Sequence, residues 1–245
     1  MIALSSGAWF LAGLGKQQEG MAARESRKAA LQGVTGPGQV EEALRQHPQN
    51  KLLQVIAMAN KAANETAAAI EKLSNEVEPP SMAKGVNLAA ASRSDLEALR
   101  GDLRTAEANA AALMPRTGAL LQTERDTLEK SARSLNVDKD TIGRFMDRID
   151  QRHAEIAAFT SRLSSARVEY YRAYQSYVAV LAGAFGSYKV EGGQFIFPFQ
   201  RTVDNYNVAA HAMTVAAKRI TELEGERKSL LKSQQEGWEP FISGK

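Results

Sequence analysis

An all-α fold is what this 245-residue sequence predicts: an elongated, coiled-coil-like helical bundle with one short β-hairpin between its two C-terminal long helices. Three observations point there. Alanine, Leu, Glu, Arg, Lys and Gln are abundant while proline numbers only 7, a balance of strong helix formers and few breakers. Apolar residues recur at spacings of three, four and seven over long runs, as one buried helix face requires. The departure is at residues 187–199, where turn glycines and alternating aromatic residues show the period of two of a small ribbon.

Composition narrows the function classes. With 44% hydrophobic and 24% charged residues the chain has the make-up of a folded body. Net charge is +3, and basic residues alternate with acidic ones along stretches such as 144–150 and 222–228. That is the pattern of a solvated helix face, whereas nucleic-acid binding concentrates Lys and Arg into a stripe; nucleic acid is not an expected partner. The absence of cysteine rules out disulfides, thiolate metal sites, a Cys nucleophile and a lipidated cysteine.

Residues 2–14 carry no charge and are followed by Lys16. The run is shorter than the about 20 residues of a spanning helix, and no basic region precedes it. It is expected to be the distal part of a signal anchor whose true start lies upstream, with Trp9 and Phe10 at the membrane interface; a helix end packed on the body is the alternative. The chain then divides into an apolar segment (1–15), a polar helical linker region (16–47), a helical bundle (48–236) and a tail (237–245).

Within the linker region the Gly/Pro-rich residues 33–38 form a turn. Pro48 suits the first position of the next helix, whose stripe is Leu52, Ile56, Ala59, Ala63, Thr66, Ile70, Leu73 and Val77, closed by Pro79-Pro80. A third helix starts near Ser92 or Ser94, with Ser94 and Glu97 spaced as a capping box. It buries Leu96, Leu99, Leu103, Ala106, Ala110 and Leu113 until Pro115 breaks or kinks it. A fourth carries Leu121, Leu128 and Leu135. The fifth is the longest: Ile142, Ile149, Ile156, Leu163, Tyr170 and Tyr177 recur every seven residues beside a companion seam of Phe145, Arg152, Phe159, Ala166, Ala173 and Val180. At 1.5 Å per residue such a run spans roughly 70 Å. After the hairpin a sixth helix, from about Thr202 to Gln235, places Tyr206, Ala209, Met213, Ala216, Ile220, Leu223 and Leu230 on one face.

Catalytic chemistry finds little footing. His153 alone among the three histidines has an acid three residues earlier, Asp150, and one acid-x-x-His set is half of what a di-metal bundle needs. It is therefore expected to be a polar surface histidine, and a metal-binding bundle is a rival reading only. No phosphate-cradling glycine loop, nucleophile elbow or His-x-x-x-His pattern occurs. No cofactor, catalytic residue or metal ligand is assigned, and an enzyme is not expected.

The aromatic residues are less ordinary. All 6 tyrosines lie between positions 170 and 206, with Phe185, Phe195, Phe197 and Phe199 among them. Tyr188, Phe195, Phe197, Phe199 and Tyr206 form the candidate site. They either cap the bundle, with Gly183 and Gly186 turning the chain back, or present a tip to a protein partner or a bilayer. A membrane-active protein using that tip as a tongue is the other rival, opposed by Lys189 and Glu191 within the hairpin.

Phe197-Pro198 followed eight residues after the proline by Tyr206-Asn207 resembles the spacing in YiaF-type bacterial envelope proteins, a family of unknown function. The break at Pro79-Pro80, the long helical run and the glycine-containing Gln-Phe strand resemble that family's layout over roughly residues 45–225. The resemblance implies a membrane-attached helical chain on the periplasmic side. Members are lipoproteins, and this chain has no cysteine to acylate, so attachment falls to residues 2–14 at the inner membrane. A non-enzymatic scaffold or interaction protein, with an unidentified protein partner and scope for homo-oligomers, is the functional expectation.

Overall fold

Five α-helices and one two-stranded ribbon make up the described part of the computed structural model, which covers residues 37–236 apart from 80, 81, 83, 84 and 138. In chain order they are α1 (Pro37–Gln46), α2 (Lys51–Asn75), α3 (Arg93–Ser134), α4 (Lys139–Gly183), β1 (Lys189–Glu191), β2 (Gln194–Ile196) and α5 (Gln200–Glu236). The chain is an all-α helical bundle carrying a hairpin. The segment 2–14, the linker up to residue 36 and the tail 237–245 lie outside the described residues.

Local chemistry explains where the helices begin. α1 opens on Pro37, whose missing N–H is no loss in a first turn, so a helix starts inside what the sequence suggests is only a turn. α2 is capped by Asn50, whose Oδ1 accepts the Leu53 N–H at 3.2 Å; Pro48 lies in the preceding turn and is not the first helical residue. At α3 the capping box is Ser92 with Asp95, not Ser94 with Glu97. The Asp95 carboxylate accepts the Ser92 N–H at 2.9 Å and the Ser92 Oγ accepts the Asp95 N–H at 3.2 Å, and the Ser92 hydroxyl and amide hold the Asp95 carboxyl below its ordinary value.

Pro115 does not end α3. The predicted third and fourth helices are one element of 42 residues, and Asn136, at φ 51°, closes it in the left-handed conformation common just past a helix end. The proline leaves the Ala111 carbonyl without its helical donor, but Ala111 and Pro115 both lie on the exposed side, where water serves instead. Pro115→Ala is accordingly expected to raise stability by on the order of 1–3 kcal/mol, read from the midpoint of urea denaturation.

The helices contribute to two compact units. One takes residues 37–71, Thr117–Ala157 and α5 from Arg227. Its core joins Val55 and Ala59 of α2, Leu128 and Ala132 of α3, and Phe145, Met146 and Ile149 of α4, with Leu135 and Ile142 packed against them. The other unit is Lys72–Arg116 with Ala158–Glu226. There Leu163 and Ala166 of α4 pack on Leu223 of α5, and polar pairs tie the helices. Ser164 Oγ donates to the Ala110 carbonyl at 2.6 Å, Arg172 meets Glu107 at 2.9 Å, and Arg162 meets Glu226 through two hydrogen bonds.

The strict seven-residue seam of α4 does not persist. Ile149 and Leu163 are buried, but Ile156 and Tyr170 are only partly so, while Thr160, Tyr171 and Val178 are buried. Tyr177 of the seam is buried as well, and Thr160, Tyr171 and Ala182, at steps of eleven from Ile149, are buried beside it.

Candidate functional site

The predicted candidate residues surround the hairpin, and the ribbon's geometry sorts them. β1 and β2 pair antiparallel with Lys189 opposite Ile196, Val190 opposite Phe195 and Glu191 opposite Gln194. Gly192 and Gly193 link them, both at positive φ (58° and 80°), as the two-residue hairpin turn demands. Directly opposed residues share a face and side chains alternate along each strand. Val190 and Phe195, flanked by Tyr188 and Phe197, therefore form one face; Lys189, Glu191, Gln194 and Ile196 form the other.

The rings of this face are used internally, while Val190 on it stays 37% exposed. Tyr188 meets Phe195 edge-on at 5.2 Å and Phe197 at 5.7 Å between ring centroids. Phe195 and Phe197 in turn lie 5.9 Å and 5.1 Å from Tyr206 of α5. Tyr206 reaches Tyr177 of α4, with rings 5.1 Å apart and hydroxyls hydrogen-bonded at 2.9 Å. From Tyr177 the series runs along α4 through Tyr174 to Tyr170 and Tyr171. Burial, and then the bond to Tyr206, push the Tyr177 hydroxyl well up; burial first of all pushes Tyr171 up to about 12. Tilted and edge-on pairs at these separations are the favourable arrangements for aromatic rings.

Tyr188, Phe195, Phe197 and Tyr206 are thus brought together, and Phe197 is buried. Phe199 is not with them: it stands 67% exposed at the foot of α5, just past Pro198. Further free apolar surface lies on α5 itself, where Val208 is 71% and Val215 55% exposed. These two are seven residues apart with exposed Ala212 between them, about a quarter-turn round the helix from the buried Ala209 and Ala216. The sequence stripe locates that buried side correctly but says nothing of an apolar outer one.

A second feature is a buried charge cluster in the other unit. Glu124 of α3 is buried, and its Oε1 accepts from Arg152 Nη1 at 3.1 Å. His153 Nε2 stands 3.5 Å from the same oxygen, at the outer limit of hydrogen-bond geometry. Arg152 and His153 of α4 are buried as well. His153 is therefore not the expected surface histidine: it faces Glu124 across the helix pair. Asp150, its supposed metal partner, faces elsewhere, accepting from Arg125 Nε at 2.7 Å and Nη2 at 3.1 Å. Among the described residues no three His, Asp or Glu side chains are grouped to hold a metal ion.

Burial pushes the Glu124 carboxyl up, but His153, Arg152 and Thr66 together outweigh it and hold the group below its ordinary value of 4.5. A folded-state value lowered in this way means stability that is complete above the unfolded value and lost as pH falls through the folded one. The difference in melting temperature between the parent and Glu124→Gln should hence shrink as pH falls below about 4.5. A difference independent of pH would show that the carboxylate charge is not what stabilises.

No family model, no curated protein and no solved structure matches the chain.

Proposed function

We propose that the protein is a non-enzymatic scaffold that makes its contacts through an exposed helical face, tethered at the bacterial inner membrane by residues 2–14 with its helices on the periplasmic side. The observation carrying this reading is the disposition of apolar surface in the unit that holds the hairpin. The hairpin's aromatic face is turned onto Tyr206 and Tyr177, whereas α5 offers Val208 and Val215 to solvent. Apolar anchors seven residues apart on one helix face have the spacing with which a helix meets a partner. No helix of the described residues is long and apolar enough to cross a membrane, so the tether rests on the sequence of residues 2–14 and on the family resemblance.

The tongue reading draws less support. The outward face of the ribbon is Lys189, Glu191 and Gln194 around a single apolar Ile196, and inserting that face in a bilayer would desolvate two charges. The test is retention of partners from solubilised membranes on the tagged full chain, compared with Val208→Glu/Val215→Glu. Loss of specific partners with unchanged helical content supports the α5 face. Equal retention by both proteins removes it, as would partition of the tag-free chain into liposomes that depends on Ile196 and Phe199.

A further inference from the structure

The outer face of α5 carries charges whose order along the helix is informative. From Arg201 to Glu222 the exposed positions include Arg201, Asp204, Val208, Val215, Arg219 and Glu222. Laid against a second copy running the opposite way, with the two-fold axis between His211 and Ala212, this face is complementary to itself. Val208 falls opposite Val215 of the second copy, Asp204 opposite Arg219, and Arg201 opposite Glu222. At the axis the small Ala212 falls opposite the exposed His211 of the second copy. A parallel pairing would instead set each of these charges against its own kind, at a cost comparable to what the opposite-charge pairs gain.

We infer that this face of α5 binds a second copy of the chain, antiparallel and two-fold symmetric, with the valines as adhesive and the charges as register. The inference rests on the reading of α5 as a contact face and names its occupant. A symmetric interface of this kind must match itself, residue i meeting j and j meeting i, and three independent pairs satisfy that condition about one axis. The charges set register more than strength. Arg219 already lies 3.4 Å from Glu222 of its own helix, each about half exposed, so dimerisation exchanges one exposed ion pair for others. The adhesive area is small beside the about 1,200–2,000 Å² of a stable interface. The dimer should therefore be reversible, with a dissociation constant on the order of 100 µM.

The chain's lack of cysteine makes the register directly readable. Under mild oxidation, a mixture of full-length Val208→Cys and Val215→Cys should give chiefly the mixed disulfide, with little of either homodimer. In sedimentation velocity, Asp204→Arg should weaken association at least about tenfold, and adding Arg219→Asp should restore it. A chain that stays monomeric to about 1 mM, Val208→Cys homodimers in place of the mixed species, or a double charge reversal no better than the single one would each overturn the inference. If the full chain is monomeric while Val208→Glu/Val215→Glu still loses a different protein from membranes, the second copy is wrong and the α5 contact face survives.

Discussion

Glu124→Ala is expected to lower stability by about 3–5 kcal/mol, because it leaves the Arg152 guanidinium buried without its counter-charge. Arg152 Nη1 donates to Glu124 Oε1 at 3.1 Å, and both lie where α3 and α4 bury their facing sides. A carboxylate taken from that position removes attraction and leaves the desolvation of the guanidinium in place. The companion variant separates this from simple loss of packing. Glu124→Met with Arg152→Met removes both charges at similar volume, and should lie within about 1 kcal/mol of the parent or above it. Urea denaturation followed by helical circular dichroism measures both. Equal loss in the single and the double variant would mean that the pair contributes favourably in its own right.

Phe197→Ala is expected to cost about 3 kcal/mol, near the lower end for a buried phenylalanine. The ring contacts Tyr188, Phe195 and Tyr206 at centroid distances of 5.7, 6.4 and 5.1 Å, and a three-residue ribbon has no stability of its own without such a base. Phe199→Leu, two residues on, should change stability by no more than about 0.5 kcal/mol, since its ring stands in solvent. Denaturation midpoints of the two variants, measured side by side, distinguish a packing cap from a contact tip. Tyr206→Phe adds a finer probe: losing the hydroxyl pair with Tyr177 should cost about 1 kcal/mol.

Much of this was legible in the sequence, and for local reasons. The alternation of Tyr188 and Val190 with Lys189, and of Phe195 and Phe197 with Ile196, assigns the two ribbon faces from sequence alone, because the side-chain period of a strand is two. The stripe from Leu96 to Leu113 is buried as its spacing requires. Arg152 falls in the weaker α4 seam, which is the one sequence signal that a charge is buried there. Its partner was harder to see. Thr117 and Glu124 continue the α3 stripe at steps of four and seven from Leu113, but Pro115 appears to divide the helix, so two polar residues beyond it look like surface. The steric rule that Pro disrupts a helix is sound; an exposed carbonyl that water can satisfy is what defeats it here. His153 shows the same limit, since a histidine's surroundings depend on which face a distant helix presents. The buried stripe of α5 carries no information about the exposed flank on which Val208 and Val215 stand.

The central claim is that Phe197 and Tyr206 are spent on packing the hairpin against the chain's own helices, while Phe199 at the foot of α5 and Val208 and Val215 on it stand free. Hydroxyl-radical footprinting of the full chain, read by mass spectrometry at concentrations too low for self-association, tests it most directly. Phe199, Val208 and Val215 should be oxidised readily while Phe197 and Tyr177 are protected. Ready oxidation of Phe197 together with protected Val208 and Val215 would contradict it.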